Sequence, residues 1–366
     1  VINNTEPDAF LLKMDSLGNH IWQKEYSNTF GAWPGGVVKA MDGGYWVTAE
    51  KSNNACSDGF FANTDLVLIK TDQYGNEEDR ITMGGQCGNE RATVYEYEED
   101  KIVLAGRITT EQQTTSPYEG YMYTSLIEQL SNNQLTTPSN TKEYIYSGLG
   151  NFTDFHNLND GNFVLVGDNF VPSDWNENDD RGKGFILKLN GERDSLWCRT
   201  YSYYNNTPTF PEAYGYAKHY ILDSKPTHDG GFVCSGWIQQ QIQDPNPFLQ
   251  TPWLFKVDSL GCLEPGCQDV DVSEIVIGLQ NTMSVYPNPA NDIANIAFNL
   301  SAGFHEVNTE LVIINMQGQE VARQILSPTS FIAPVQVDVS NLASGVYTVH
   351  WVDGAKWYDS VKLVKQ

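Results

Sequence analysis

The chain has 366 residues, a formal net charge of −24 and 40% hydrophobic residues. This length exceeds what one compact core usually contains, so we expect two domains, and the apolar content is sufficient to fold them. The strong acidity argues against nucleic acid as a partner, because phosphates attract basic surfaces. No apolar run approaches the roughly 20 residues that a membrane-spanning helix needs. The chain begins at Val1 without a basic and apolar leader, which predicts a removed signal peptide or missing upstream sequence.

A strand–turn–strand pattern recurs along the first three-quarters of the chain. Residues 10–14 form an apolar run of strand length, residues 15–19 form a turn in which Gly18 suits a left-handed conformation, and residues 21–26 alternate as a half-buried strand does. Related segments occur at residues 65–75, 121–130, 184–191 and 252–261. A second element, a strand that usually follows an Asp-Gly turn, recurs at residues 42–49, 101–106, 160–167 and 229–236.

These elements predict four-stranded repeats between residues 8 and 261. In the first repeat the strands are expected at residues 10–14, 21–26, 36–40 and 45–49. Four repeats are complete, and a fifth keeps only its first strand and turn. Units that cannot bury both faces alone are typical of β-propellers. We therefore predict an all-β protein that opens with a β-propeller of about five four-stranded blades at residues 1–266, with more blades if upstream sequence is missing.

The connections predict which face of the propeller is functional. In an antiparallel meander, alternate connections lie on opposite faces, so the tight turns share one face and the long connections share the other. The long connections are residues 27–35, 51–64, 83–90, 108–120, 168–183, 202–213 and 239–251. Long loops on a rigid scaffold commonly carry binding, so we predict a ligand on this long-loop face; drift in loop length is the alternative.

A second domain follows residue 283. Residues 267–283 break the repeat and are predicted to be a linker. Short alternating strands are then expected at residues 293–300, 310–315, 320–326, 334–339, 346–351 and 356–364. Short strands with regular turns predict a small immunoglobulin-like β-sandwich at residues 284–366.

Three motifs and a basic strand mark this second domain. VYPNPA at residues 285–290, NMQGQEV at 315–321 and LASGVYTV at 342–349 occur in this order, and KLVKQ ends the chain. With these motifs, residues 284–366 closely resemble the type A C-terminal sorting domain of proteins exported by the type IX secretion system of Bacteroidota. The residues taken as the sorting signal are Tyr286, Pro287, Asn288, Pro289, Gly318, Gly345, Tyr347, Lys362 and Lys365. The prolines predict a stiff, extended entry segment, and the glycines at 318 and 345 suit turns with positive φ.

The resemblance implies export across the outer membrane of a diderm bacterium and a secreted or cell-surface location. It implies three kinds of partner: the type IX translocon, an outer-membrane β-barrel shuttle protein, and a sortase that usually removes the domain and attaches the cargo to surface lipopolysaccharide. The repeat region resembles, more loosely, the propellers found upstream of such domains.

The chain has six cysteines, an even number that favours disulfides in an exported protein. The first and last of the sequence Cys-Leu-Glu-Pro-Gly-Cys are brought together by its Pro-Gly turn, and two more cysteines fall in predicted loops of one face. We predict two disulfides, Cys262–Cys267 and Cys56–Cys87. Cys198 and Cys234 fall in strands that are not neighbours in a simple meander, so buried thiols and a third pairing both stay open.

Two loop features are candidate binding sites. An acidic segment has the alternating oxygen ligands of a calcium loop at Asp174, Asn176, Asn178 and Asp180. It lacks the glycine and closing glutamate of an EF-hand, so a solvated loop is the alternative to Ca²⁺, and no other cofactor is predicted. Trp33 and Trp175 lie in long loops, where an exposed indole suits stacking on a sugar; packing of either ring against the propeller is the alternative.

Four Asp-Ser-apolar tripeptides resemble the O-glycosylation signal of Bacteroidota. Their serines are Ser16, Ser195, Ser259 and Ser360. The first three lie in predicted turns, where a hydroxyl is exposed enough for modification. Asp and Ser also favour such turns for their own hydrogen bonds, so turn preference is the alternative explanation.

The sequence contains no Gly-x-Ser-x-Gly, His-Glu-x-x-His or phosphate-binding glycine loop. We therefore predict a non-enzymatic binding protein that presents its long-loop face to a surface polysaccharide or another surface protein. Two alternatives stay open: a propeller-type polysaccharide hydrolase or lyase, and a structural subunit of a surface assembly. Carboxylates clustered in a deep pocket would favour the enzyme, and large self-complementary contacts would favour the assembly.

Overall fold

A computed structural model describes residues 8–27, 34–52, 64–84, 91–110, 119–144, 149–170, 182–203, 218–241, 248–263, 267, 274–277, 279, 281–300, 309–354 and 356–366. In this part of the chain the regular structure is β-strand, apart from one 3-10 turn at Pro328–Phe331. None of its residues belongs to a helix with the length and hydropathy to cross a bilayer. The predicted all-β class is confirmed.

The chain divides into two compact units, and unit 1 comprises Val1–Glu177 and Leu187–Leu196. Its described strands are β1 (Ala9–Met14), β2 (His20–Tyr26), β3 (Pro34–Lys39), β4 (Tyr45–Ser52), β5 (Thr64–Thr71), β6 (Glu77–Met83), β7 (Arg91–Glu98), β8 (Lys101–Thr110), β9 (Glu119–Glu128), β10 (Ser139–Tyr144), β11 (Leu149–Asn157) and β12 (Phe163–Phe170). They form the β1–β2 hairpin, two antiparallel sheets with orders β3-β4-β5-β6 and β7-β8-β9-β10, and the antiparallel pair β11–β12. Strand β13 (Lys183–Leu189) crosses the division between the units.

The two four-stranded sheets of unit 1 share one core. Trp46 and Leu68 contribute from the first sheet, Ile102 and Leu104 from the second, and all four side chains are fully buried. The first strands of consecutive sheets are neighbours, since β7 contacts both β3 and β11. Face-to-face packing with adjacent first strands is how propeller blades pack, so these separate sheets fit the predicted propeller.

The sheets begin two strands later than the sequence repeat does. The repeat begins with β1, whereas β1 and β2 form a hairpin of their own and the first four-stranded sheet begins with β3. A period of four strands fixes the spacing of equivalent strands, but it does not determine which of them comes first in a sheet. Hydrogen bonding along the strand edges decides that phase, and the blade boundaries shift accordingly.

An aspartate closes three of the strand–turn–strand units, at Asp15, Asp72 and Asp258. Asp15 Oδ1 accepts the backbone N–H groups of Leu17 and Asn19 at 2.9 and 2.8 Å, and Gly18 has a φ of 83°. The same turn recurs after the equivalent strands, around Asp72 and Asp258. The carboxylate satisfies amides that the turn leaves without strand partners, so the Asp-x-x-Gly sequence specifies the turn locally.

Strand β5 carries a buried lysine. Lys70 is fully buried, and its Nζ lies 2.5 Å from Asp42 Oδ2 and 3.4 Å from Glu78 Oε2. A lysine is rarely buried without such partners, because the ammonium loses its hydration. The pair therefore joins the Asp-Gly turn between β3 and β4 to the end of β5. In unit 2, Lys256 and Asp229 form the equivalent contact at the surface.

Unit 2 comprises Asn178–Ile186 and Trp197–Gln366. Its further strands are β14 (Ser195–Tyr203), β15 (Lys218–Pro226), β16 (Phe232–Gln241), β17 (Phe248–Val257), β18 (Glu274–Ile277), β19 (Met283–Tyr286), β20 (Ile293–Phe298), β21 (Glu310–Asn315), β22 (Glu320–Ile325), β23 (Val335–Asp338), β24 (Gly345–Asp353) and β25 (Lys356–Lys365). They form an antiparallel β15-β16-β17 sheet, a β19-β20-β23 sheet, and a run in the order β14-β18-β25-β24-β21-β22.

The predicted β-sandwich forms at the end of unit 2. The β19-β20-β23 sheet and the β25-β24-β21-β22 strands bury a common core that includes Ile296, Val337, Leu311, Val349 and Leu363. The expected strand at residues 310–315 matches β21 at both ends, and the other five expected strands differ by at most two residues at an end. Short apolar or alternating runs bounded by polar and turn residues explain this agreement, because at least one face of each strand must reach the core.

Candidate functional site at the start and end of the sandwich

The first motif of the sandwich is hydrogen-bonded to its last strand. The Asn288 side chain donates from Nδ2 to the Lys362 carbonyl at 2.8 Å, and its Oδ1 accepts the Val364 N–H at 2.8 Å. A side-chain amide thus takes the place of a peptide group beside β25. This arrangement requires a donor and an acceptor on one short side chain, which explains asparagine at this position.

The backbone continues this pairing one step further along. The Ala290 N–H donates to the Val364 carbonyl at 2.8 Å, and the Gln366 N–H donates to the Ala290 carbonyl at 3.0 Å. Ala290 is fully buried, whereas 46% of Tyr286 is exposed. Backbone and side-chain hydrogen bonds therefore join the start of the sandwich to its last strand, next to the half-exposed Tyr286.

The entry segment bends where an extended conformation is expected. Strand β19 ends at Tyr286, and residues 287–289 form a bend in which both the Tyr286–Pro287 and Asn288–Pro289 peptides are cis. The expectation of a continuous extended segment is wrong. The bend carries the Asn288 amide to Lys362 and Val364, which an extended continuation of β19 would not do.

The middle motif forms the same kind of turn as the repeats. Asn315 Oδ1 accepts the N–H groups of Gln317 and Gln319 at 3.0 Å each, and Gly318 has a φ of 77°, as predicted. Met316 at the tip of this turn is 71% exposed. The turn therefore presents an apolar side chain to solvent on a backbone that its own asparagine fixes.

The third motif differs from expectation at its glycine. Gly345 does not have a positive φ; it begins β24 and pairs with Lys365. The prediction of a left-handed turn there is wrong, because the strand starts one residue before the expected Val346. Tyr347 lies in the core, and its hydroxyl donates to the Ala343 carbonyl at 2.7 Å, which fixes the connection that leads into β24.

The charged side chains of the last strand, β25, lie in two different environments. Lys362 is exposed and Lys365 is half-buried, so both ammonium groups reach the surface beside the first motif. Asp359, by contrast, is buried, and it accepts the N–H groups of Met283 and Ser360 at 2.8 Å each. Burial raises the pKa of Asp359, and the N–H donors oppose that rise.

Similarity to known proteins identifies the domain that contains this site. Residues 284–366 match the family described as the secretion system C-terminal sorting domain. Residues 284–366 are a C-terminal sorting domain. The chain is thus cargo of the type IX secretion system and a secreted or cell-surface protein, and its sorting domain interacts with the type IX machinery. No curated protein matches the chain significantly.

Solved structures give only distant likenesses. A Dyadobacter fermentans protein of unknown function is 11% identical, with coverage of 92% of this chain and 95% of that chain and a TM-score of 0.38. A Bombyx mori GH32 β-fructofuranosidase is 10% identical, with coverages of 95% and 77% and a TM-score of 0.37. A B. megaterium levansucrase variant is 10% identical, with coverages of 97% and 89% and a TM-score of 0.35. Likenesses this weak carry no argument about activity.

Several predicted sites lie outside the described residues. These are the calcium ligands Asp174, Asn176, Asn178 and Asp180, the loop tryptophans Trp33 and Trp175, and the cysteine pair Cys56–Cys87. They stay predictions.

The predicted Cys262–Cys267 disulfide is confirmed, with Cα atoms 5.7 Å apart. Cys198 forms no disulfide within the described part of the chain, and burial raises the pKa of its thiol to about 12. Cys234 is buried in β16. The thiol of Cys198 thus stays protonated and unreactive at neutral pH.

The predicted modification sites differ in exposure. Ser16 and Ser195 are exposed at the turns beside β1 and β14, and Ser259 is half-buried in the equivalent turn after β17. Ser360 is half-buried within β25, where it pairs with His350. Glycosylation itself stays a prediction, and by exposure Ser16 and Ser195 are its best positions.

One aromatic pair was not predicted from the sequence. Tyr220 and Trp237 are cross-strand partners in β15 and β16, and their half-buried rings stack with centroids 4.0 Å apart and planes 19° apart. The pair lies toward the strand ends that lead to the predicted long loops, away from the tight turn that joins the two strands. Aligning the two strands outward from their Asp-Gly turn would have paired these residues, but the irregularity between Ile221 and Asp223 changes the register.

Proposed function

We propose that the exported chain is a non-enzymatic binding protein whose long-loop face holds a polysaccharide on or outside the cell surface. The observation that carries this proposal is the stacked pair of Tyr220 and Trp237 on the strands that lead to that face. Two stacked rings offer a flat apolar surface with polar rims, which suits the apolar face of a sugar ring.

Neighbouring contacts support the idea of a preformed platform. Trp253 Nε1 donates to the Tyr220 carbonyl at 2.9 Å, which holds the backbone that carries the ring. Beside it, His219 Nε2 accepts the Tyr203 N–H at 2.9 Å, and His219 is buried. Rings held in this way lose little conformational freedom on binding, so less of the binding free energy is spent on ordering them.

The aspartates of the tight turns support the choice of the long loops. Those at 15, 72 and 258 accept backbone N–H groups of their own turns, so their carboxylates have structural partners. The Asn19 amide and the turn N–H groups hold the pKa of Asp15 below its usual value. Carboxylates committed to turns in this way are poor ligands for a polysaccharide.

A glycan array probed with the full chain tests the proposal. We expect binding to a defined set of glycans, and about a fivefold loss of affinity for Trp237→Ala, because an aromatic stacking contact contributes about 1 kcal/mol. Tyr74→Ala is the matched control, since it removes an exposed aromatic side chain from a tight turn. This control should bind as the wild type does.

Two results would contradict the proposal. Equal binding by the wild type and Trp237→Ala would remove the aromatic pair from the site, and absence of binding to any glycan would remove polysaccharide as the ligand class. Release of shorter oligosaccharides from a bound glycan would show that the protein is an enzyme, so products are analysed by mass spectrometry in the same assay.

A further inference from the structure

Strand β18 lies outside the segment that matches the sorting-domain family, yet it has strand partners on both sides. Its residues pair in parallel with β14, from Thr200 opposite Glu274 to Tyr203 opposite Ile277. On its other edge Glu274 pairs with Lys356, in β25 of the sorting domain. A segment expected to be a linker therefore forms a strand between β14 of the repeat region and β25 of the sorting domain.

The side chains of β18 also pack against residues of both neighbouring strands, β14 and β25. Ile275 is opposite Tyr201 on one side and Trp357 on the other, so three fully buried side chains form one row across β14, β18 and β25. The next residue, Val276, belongs to the sorting-domain core, as does Leu279. Successive residues of a strand point to opposite faces, so β18 contributes to both faces of this sheet.

We propose that β18 is a strand of the sorting domain and that the domain uses it to dock on the edge of β14. The partner surface is the backbone edge of Thr200–Tyr203 together with the Tyr201 ring. The sorting domain is then a structural continuation of the repeat region, not a body on a flexible tether. Separating the two requires β18 to leave β14 or β25.

Physical considerations support this arrangement. An open strand edge next to buried aromatic residues is prone to pair with other chains, and β18 covers such an edge on both neighbours. Ile275 and Leu279 are both fully buried, so burial of their apolar surface anchors the short strand. Ser284–Gln366 alone would lack Val276 and Leu279 from its core.

A cut in the full chain tests the proposal. A site-specific protease sequence is inserted between residues 267 and 274, and the folded protein is cleaved there. All six cysteines are N-terminal to the cut, so no disulfide can join the two pieces. We expect the pieces to co-elute in size-exclusion chromatography at roughly micromolar concentration, as strand-docked fragments do.

Two variants locate the contact. Ile275→Ser should weaken association of the cut pieces at least tenfold, whereas Ile325→Ser should leave it unchanged, because Ile325 is exposed on the far edge strand β22. In the uncut chain, hydrogen exchange of both β14 and β25 should accelerate at least tenfold in Ile275→Ser. Separation of the wild-type pieces, or faster exchange in β25 with β14 unchanged, would overturn the proposal.

Discussion

The buried histidine of the sorting domain predicts a loss of stability in mild acid. His350 is fully buried in β24, and its Nδ1 accepts the Trp357 indole N–H at 3.0 Å. Its Nε2 is buried and has no hydrogen-bond partner among the described residues. Burial lowers the pKa of His350 from 6.5 to about 4. The charged imidazolium is therefore disfavoured in the folded domain and free to form in the unfolded chain.

The sign and size of the effect follow from proton linkage. As the pH falls below 6.5, the unfolded chain takes up a proton at this histidine, while the folded domain does not until about pH 4. The contribution of neutral His350 to the stability of the domain is fully present above pH 6.5 and is lost as the pH falls towards 4. Between pH 7 and pH 5 the loss from this one group is about 2 kcal/mol, which corresponds to roughly a thirtyfold change in the unfolding equilibrium.

Hydrogen exchange of β24 and β25 in the full chain, corrected for the intrinsic rate at each pH, measures this loss. The comparison is between the wild type and His350→Gln, which keeps a hydrogen-bond acceptor for Trp357 but has no group that titrates in this range. His20→Gln, at an exposed histidine in β2, is the control. Asp359 has a raised pKa, so its own contribution falls as the pH rises, but it is present in all three proteins and cancels in the difference. An equal pH dependence in the wild type and His350→Gln would refute the reasoning.

Three further predictions concern the sorting domain, the disulfide and the turns. Asn288→Ala removes two hydrogen bonds to β25 and should lower the free energy of unfolding of the sorting domain by about 1 to 3 kcal/mol, measured by denaturant unfolding. It should also reduce export of the cargo, measured by assay of the culture medium. Replacing Cys262 and Cys267 by serine should lower stability by about 2 kcal/mol, measured by thermal unfolding, and an unchanged midpoint would contradict the expected restraint on the unfolded chain. Intact-mass measurement of the native protein should show added glycan that Ser16→Ala and Ser195→Ala each reduce, and an unmodified mass would remove the glycosylation hypothesis.

Local features of the fold were predictable because the residues that cause them are close in sequence. A short apolar run between polar residues located β21 at both ends, and the Asp-x-x-Gly sequence located the turn at Gly18. Features that depend on distant pairing were not predictable. The phase of the four-stranded sheets, the docking of β18 and the stacking of Tyr220 on Trp237 all depend on which edges meet and in which register.

In the candidate site, too, the local features were predictable and the features that depend on distant residues were not. The sorting motifs were recognisable as short sequences, and Gly318 behaves as its turn requires. The hydrogen bond between the Val364 N–H and the Asn288 side chain joins residues far apart in sequence, so no local pattern predicted it. Gly345 was assigned a turn because glycine often marks one, whereas here it starts a strand paired with Lys365.

The aspartate-closed turns bear on how such a chain can change in evolution. Each of these turns carries, within five consecutive residues, the carboxylate and the glycine that shape its reversal, as Asp15 and Gly18 do. A duplicated segment of the gene would encode its own turn residues. The surrounding protein would then need only an apolar surface for the new strands to pack against. Lengthening or shortening the array by whole units thus needs little change elsewhere in this architecture, and the length of the repeat region can vary while the sorting domain stays as it is.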